Sequence, residues 1–165
     1  MPRPGRTLAV ISAILTATLL SLPLLGRDTS IAVIINPRNP VESVSLAQLR
    51  GIFLGTEAFW KDGTQVVAIV RAPSARERDL LLRRILHMSE AQYQQYWRKK
   101  RQARQGGREP LATVSNGMQE QIVLREPGAV ALVPVSDIHQ RVKILKVAGS
   151  LPGSAAYPLK TSAAR

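Results

Sequence analysis

The chain has 165 residues, of which 45% are hydrophobic and none is cysteine. This length suits one domain with a hydrophobic core, and the lack of cysteine excludes disulfides, thiolate metal ligands and a cysteine nucleophile. Lys and Arg number 23 against 11 Asp and Glu, a formal net charge of +12, so the surface is expected to attract phosphates, nucleic acid or anionic lipid headgroups.

An apolar segment follows two arginines at the start of the chain. Residues 8–25 form this run, with Arg3 and Arg6 before it, so residues 1–27 are predicted to be a signal peptide or a membrane anchor. The run is just long enough to span a bilayer, while the proline and glycine near its end suit a signal peptide. The expected location is therefore periplasmic or secreted, with anchoring to the inner membrane by residues 8–25 as the open alternative.

The first predicted elements of the domain are a strand and a short helix. The β-branched run at residues 31–35 predicts a strand buried on both faces of a parallel sheet. The sequence SLAQ at residues 45–48 has the pattern of a capping box, which predicts a helix that starts at Ser45 and stops near Gly55.

The next elements repeat this order of strand and helix. Residues 65–70 predict a second interior strand. A second capping-box pattern at residues 74–77 predicts a helix from Ser74 with one apolar face, and a third at residues 89–92 predicts another helix. The aromatic residues expected to pack on that helix are Tyr93, Tyr96 and Trp97.

The C-terminal part predicts a loop, a helix and two strands. The apolar period fails from residue 98 to 108, where two glycines and a proline indicate a loop. A helix is predicted at 116–125, strands at 129–133 and 142–147, and a short turn or helical piece at 134–139. Residues 148–165 are expected to form a flexible, poorly ordered tail. Residues 28–147 are thus predicted to form one α/β domain with helices on both faces of a sheet.

Several short motifs occur in a characteristic order. They are IINP at 34–37, IFLG at 52–55, WKDG at 60–63, VRAPSARE at 70–77 and EPGAVALV at 126–133. This order resembles one lobe of the phosphate-type, PstS-like periplasmic solute-binding proteins of ABC transporters. The resemblance covers about residues 31–147 and implies a single periplasmic-binding-protein-like lobe with a mixed, mostly parallel sheet.

The resemblance also implies an anion site where the strand at 65–70 meets the following helix. In the family, an arginine at the end of a strand and a Gly-Ser-Gly sequence at the start of the next helix contact the anion. The corresponding residues here are Arg71 and Pro73-Ser74-Ala75, and the charge of Arg76 lies beside them. Ligands of α/β sheets bind at the carboxyl ends of strands, beside helix starts whose amides favour anions. The predicted site for phosphate or another small anion therefore consists of Arg71, Ser74, Ala75 and Arg76.

Two departures from the family weaken this prediction. Pro73 lacks an amide hydrogen and Ala75 adds a Cβ where the family has glycines, and only one of two lobes is present. The structural alternative is that Ser74 is a helix cap satisfied by Glu77, with Arg71 and Arg76 solvated.

A cluster of basic residues ends the third predicted helix. Arg98, Lys99, Lys100 and Arg101 could contact an anionic surface, although a solvated helix end is favoured because basic residues suit helix C-termini. Nucleic acid is a less favoured partner because the leader indicates an extracytoplasmic protein.

No catalytic or metal-binding pattern is present in the sequence. His87 and His139 do not have metal-ligand spacing, and no nucleophile elbow or kinase-type phosphate loop appears. We therefore expect no cofactor and no enzymatic activity. The expected function is an extracytoplasmic anion-binding protein related to the substrate-binding component of phosphate ABC transporters, with a transporter or envelope protein as partner. The alternative is an envelope interaction module that kept the fold but lost solute binding.

Overall fold

The computed structural model describes residues 30–104 and 106–161, so the predicted signal peptide or anchor at residues 1–27 lies outside the described part. Its strands are β1 (Ile31–Ile35), β2 (Ser43–Val44), β3 (Val67–Arg71), β4 (Leu111–Thr113), β5 (Ala129–Pro134) and β6 (Lys143–Val147). Its helices are α1 (Leu46–Phe53), α2 (Arg76–Leu80), α3 (Glu90–Gln102) and α4 (Asn116–Arg125), with a π-helical segment at Leu81–Leu86 and a 3-10 turn at Val135–Asp137.

The described strands form one mixed sheet in the order β2-β6-β1-β5-β3-β4. Strand β3 pairs in parallel with β4 and β5, and β2 pairs in parallel with β6. Strand β1 is buried along its whole length, as predicted, but both of its neighbours run antiparallel to it. The prediction of parallel neighbours was wrong because a run of β-branched residues reports burial on both faces and carries no information on strand direction.

Helices cover both faces of the sheet and create two hydrophobic clusters. Alternate residues of β1 point to opposite faces: Val33 belongs to the larger cluster, which includes Phe53, Leu86 and Trp97, whereas Ile34 belongs to the smaller cluster. Helix α4 contacts β5, β1, β3 and β4 and contributes Val123 to the smaller cluster. The predicted α/β architecture is confirmed.

Two of the predicted capping boxes are present. The Ser45 hydroxyl accepts a hydrogen bond from the Gln48 amide at 3.1 Å, and the Gln48 side chain accepts one from the Ser45 amide at 2.9 Å. Ser89 and Gln92 make the same reciprocal pair at the start of α3. These bonds satisfy amides that a helix start leaves unpaired.

Two of the sequence motifs meet inside the fold. The Trp60 indole N–H donates to the Gly128 carbonyl at 2.9 Å in a buried contact. A Cβ on Gly128 would lie 1.8 Å from the Gln65 carbonyl oxygen, so this position requires glycine. Trp60 and Gly128 are therefore structural residues that hold the segment before β3 against the start of β5.

The segment after β6 packs on the sheet. The Tyr157 hydroxyl donates to the Ile31 carbonyl at 2.7 Å, and the Ile31 amide donates to the Leu159 carbonyl at 2.8 Å. Both Tyr157 and Leu159 are buried. The expectation of a poorly ordered tail is therefore wrong for residues 148–161, because the turns of this segment place the large side chains of Tyr157 and Leu159 in the core.

Two further differences concern the middle of the chain. Helix α3 continues to Gln102, past residue 98 where the apolar pattern fails, and β4 follows the predicted loop at a place where no strand was predicted. No helix of the described residues is long and apolar enough to cross a membrane.

Candidate functional site

The predicted anion site lies at the carboxyl end of β3. Arg71 is the last residue of that strand and pairs with Thr113 at the end of the parallel strand β4. The Ala72 amide donates to the Thr113 carbonyl at 2.8 Å, which extends the pairing by one residue. The chain then turns through residues 73–75 into α2, and we call residues 71–77 the β3–α2 corner.

Arg71 binds a carboxylate within this corner. Its Nε donates to Glu77 Oε1 at 2.6 Å, and its Nη1 makes a longer contact of 3.4 Å with the Thr113 carbonyl. The Arg71 side chain is 17% exposed and that of Glu77 5% exposed. Arg71 is thus not solvated, and the negative charge beside it belongs to the protein itself.

Ser74 does not cap the helix. It has a φ of 74°, in the left-handed region that residues other than glycine rarely adopt, and it is exposed. Ala75 occupies the N-cap position with no side-chain hydrogen bond. The predicted capping box at residues 74–77 is wrong because Glu77 points to Arg71 instead of returning to the Ser74 backbone.

The other predicted residues border the same corner. Ala75 is partly buried, and Arg76, the first residue of α2, is exposed. The structure therefore brings Arg71, Ser74, Ala75 and Arg76 together around the start of α2. Ser74 and Arg76 face solvent, whereas Arg71 is partly enclosed.

A second arginine, Arg78, contacts the backbone of the corner. Arg78 donates from Nε and Nη2 to the two carboxylate oxygens of Glu90, both at 2.8 Å, and from Nη1 to the Arg71 carbonyl at 2.8 Å. The hydrogen bonds with Glu90 raise the pKa of Arg78, and the same contact lowers the pKa of Glu90. Arg78 therefore ties α3 to the end of β3. The sequence carries no signal for this pair because the two residues lie on different helices, 12 positions apart.

The corner can hold an oxyanion in chemical terms. Arginine forms strong charge-assisted hydrogen bonds with carboxylates and phosphates alike, and the contact with Glu77 shows that the Arg71 guanidinium is placed to donate to such a group. An open cavity of about 340 Å³ adjoins Ser74 and Arg78. The described residues contain no group of His, Cys, Asp or Glu that could hold a metal ion.

The basic cluster at the end of α3 divides into two parts. Arg98 and Lys99 are exposed, and Arg101, also exposed, pairs with Glu109. Lys100 is only 8% exposed. Its ammonium group donates to the carbonyls of Leu54 at 2.9 Å and Gly55 at 3.2 Å, so the expectation of a solvated helix end is wrong for this residue.

Solved structures of phosphate-binding proteins share this fold. An ABC-type phosphate transport receptor from Vibrio cholerae matches with a TM-score of 0.59 and 19% identity, over 74% of this chain and 48% of its own. PstS from Borrelia burgdorferi gives a TM-score of 0.62 and 16% identity, over 79% and 54%. A phosphate-binding protein from Stenotrophomonas maltophilia gives 0.55 and 18%, over 75% and 40%. The sequence matches no protein-family model and has no significant match among curated proteins.

These similarities concern the fold. The chain spans about half the length of the solved structures it matches, in agreement with the prediction of a single periplasmic-binding-protein-like lobe. The predicted resemblance in fold to phosphate-type substrate-binding proteins is confirmed.

Proposed function

We propose that this protein is an extracytoplasmic, non-catalytic anion-binding protein of the phosphate-type substrate-binding class. Phosphate or a similar small anion binds at the β3–α2 corner through Arg71, Ser74, Ala75 and Arg76. The named functions of the similar structures, which are phosphate-binding proteins and a phosphate transport receptor, support this class of ligand. A transporter or envelope protein is the matching partner, and the prediction of a signal peptide or membrane anchor at residues 1–27 supports the location.

The observation that carries the proposal is the pair of Arg71 and Glu77. A guanidinium group at the end of a strand already holds an oxyanion at 2.6 Å beside a helix start. An external anion would contact the remaining donors of Arg71, the Ser74 hydroxyl and the Arg76 guanidinium. The first-turn amides of the helix add a favourable dipole.

The same pair makes the affinity weak. Glu77 neutralises much of the charge that Arg71 offers, and its carboxylate repels an incoming anion at short range. Pro73 contributes no amide donor. We therefore expect millimolar rather than micromolar binding of phosphate, on the order of 4 kcal/mol of binding free energy.

The test is isothermal titration of the full chain with inorganic phosphate, compared with Arg71→Ala. Arg84→Ala is the matched control, because Arg84 is an exposed arginine on the π-helical segment outside the corner. The proposal expects the β3–α2 corner to bind phosphate in the unmodified chain and in Arg84→Ala, and this binding to be lost in Arg71→Ala, so that the total heat of the titration falls in Arg71→Ala alone. Equal binding by all three proteins would place the anion elsewhere.

A second function is an envelope interaction module that kept the fold without solute binding. The internal neutralisation of Arg71 favours it, as does a chain of about half the length of the similar structures. Its basic surface would then contact an acidic protein or an anionic polymer. Absence of phosphate binding in both the unmodified chain and Glu77→Gln would favour this function over the first.

A further inference from the structure

Lys100 is a buried cation without an acidic partner. It is 8% exposed, and no carboxylate of the described residues lies within ion-pair distance of its ammonium group. Its hydrogen-bond partners are the neutral carbonyls of Leu54 and Gly55 and, at 3.4 Å, the Tyr96 hydroxyl. Buried charges in proteins are normally paired, because removing a charge from water is costly.

The Lys100 side chain lines a small open cavity at the end of α3. The cavity has a volume of about 260 Å³, and the other lining residues are Trp97, Arg101, Arg104, Gly107 and Glu109. Three cations and one carboxylate therefore surround it, and Arg101 is the cation that Glu109 neutralises. Lys100 and Arg104 are the cations of the lining that form no ion pair with a carboxylate among the described residues.

Gly107 allows the backbone to approach the ammonium group and the Gly55 carbonyl closely. Its φ is 102°, and a Cβ there would lie 2.7 Å from Lys100 Nζ and 2.1 Å from the Gly55 carbonyl oxygen. Any side chain at this position would therefore push against both the ammonium group and the backbone that holds it. Glycine preserves the arrangement of carbonyls around the cation.

This cavity is separate from the β3–α2 corner. Lys100 is bonded to the end of α1 at Gly55, and the segment after α3 leads into the amino end of β4. Glu90, which pairs with Arg78 beside the corner, is the first residue of α3, and Lys100 lies ten residues further along that helix, about 15 Å away at a rise of 1.5 Å per residue.

We propose that the cavity at the end of α3 is a second anion site, for the phosphate group of a free phosphate ion or of a lipid headgroup. Lys100 supplies a buried positive charge, and Arg104 reaches the anion from the exposed side. The Trp97 ring, whose centroid is 5.1 Å from the ammonium group, lines the cavity and stabilises that group by a cation–π contact. A cavity of this volume holds one phosphate group together with some water. This site does not depend on the function proposed for the corner.

The experiment is an NMR titration of the full chain carrying Arg71→Ala, so that the corner does not contribute. Inorganic phosphate is added at constant ionic strength, and the signals of the Trp97 indole and the Gly107 amide are followed. We expect saturable shifts of both signals. Arg104→Ala should weaken the affinity about tenfold, as for loss of one charge-assisted hydrogen bond. Arg98→Ala is the control, because Arg98 is an exposed arginine on α3 that does not line the cavity, and its loss should have a much smaller effect.

A second arm identifies the source of the phosphate group. Vesicles of phosphatidylglycerol and phosphatidylcholine are compared with vesicles of phosphatidylcholine alone. Binding to the anionic vesicles that Arg104→Ala weakens and inorganic phosphate competes assigns a lipid headgroup, whereas shifts with inorganic phosphate alone assign the free ion. Equal losses in Arg98→Ala and Arg104→Ala would show a diffuse electrostatic effect and overturn the proposal. So would the absence of both phosphate shifts and vesicle binding.

Discussion

The contact between Arg78 and Glu90 is a partly buried, bidentate ion pair that should contribute to stability. It has two charge-assisted hydrogen bonds of 2.8 Å, and the Arg78 side chain is 8% exposed. Breaking a fully buried pair costs roughly 3–5 kcal/mol, because the remaining charge is left without a partner. The Glu90 side chain is 33% exposed, so water replaces part of the lost contact. We expect Glu90→Gln to lower the free energy of unfolding by about 2 kcal/mol, or the Tm by about 8 °C.

Urea unfolding followed by tryptophan fluorescence would measure this loss, because Trp60 and Trp97 are both buried. The matched control is Asp79→Asn. Asp79 pairs with Arg83, four residues further along the chain, but both side chains are more than half exposed. Its loss should cost less than about 0.5 kcal/mol. Equal costs for Glu90→Gln and Asp79→Asn would refute the role assigned to burial.

The pH dependence gives an independent check of the same pair. The hydrogen bonds from Arg78 lower the pKa of Glu90 in the folded state, so the unfolded state binds more protons in the acid range. The stabilisation is therefore complete above the unfolded pKa of about 4.3, and it is lost as the pH falls through the lower folded pKa. The difference in stability between the unmodified chain and Glu90→Gln should be constant near neutral pH and should disappear in strong acid.

Three further substitutions test the packing and the backbone by the same unfolding assay. Ser74→Gly should stabilise the protein by about 0.5–1 kcal/mol, because glycine adopts the φ of 74° without the cost that a Cβ imposes. Gln119→Met should stabilise it by about 1 kcal/mol, because neither polar atom of the fully buried Gln119 side chain has a hydrogen-bond partner among the described residues. Tyr157→Phe should cost about 1 kcal/mol through loss of the hydrogen bond to the Ile31 carbonyl.

Each of these has a result that would contradict it. Destabilisation by Ser74→Gly would mean that the serine hydroxyl contributes more than the backbone strain costs, and Ser89→Gly, at a true capping serine, is the comparison that should destabilise. A large loss in Gln119→Met would reveal a polar partner for that amide. An unchanged stability in Tyr157→Phe would mean that the C-terminal segment contributes little to the fold.

The fold could be predicted from the sequence where local chemistry determines it. The helix starts at Ser45 and Ser89 were predicted because a capping box consists of contacts between residues three positions apart. The burial of β1 followed from its β-branched run. The direction of its neighbours did not, because strand pairing depends on contacts between distant parts of the chain. Strand β4 was missed because it has only three residues, of which two are exposed.

The turn from strand to helix that holds the candidate residues was predicted from the sequence, but the ion pair between Arg71 and Glu77 was not. The predicted strand ends one residue before Arg71, which is the last residue of β3, and Ser74 lies in the turn that follows. The capping-box pattern suggested that Glu77 would cap the helix, although an arginine six positions away offers a stronger partner for its carboxylate. A glutamate at position 77 can cap the helix with Ser74 or form an ion pair with Arg71, so only the three-dimensional arrangement distinguishes the two contacts.

The most direct test of the proposed function compares phosphate titrations of the unmodified chain and Glu77→Gln. Glutamine keeps an oxygen that can accept the hydrogen bond from Arg71 Nε but removes the competing negative charge. If the β3–α2 corner is an anion site weakened by its own carboxylate, Glu77→Gln should bind phosphate about tenfold more tightly than the unmodified chain, and Arg71→Ala should abolish the gain. Unchanged or weaker phosphate binding in folded Glu77→Gln would contradict the account.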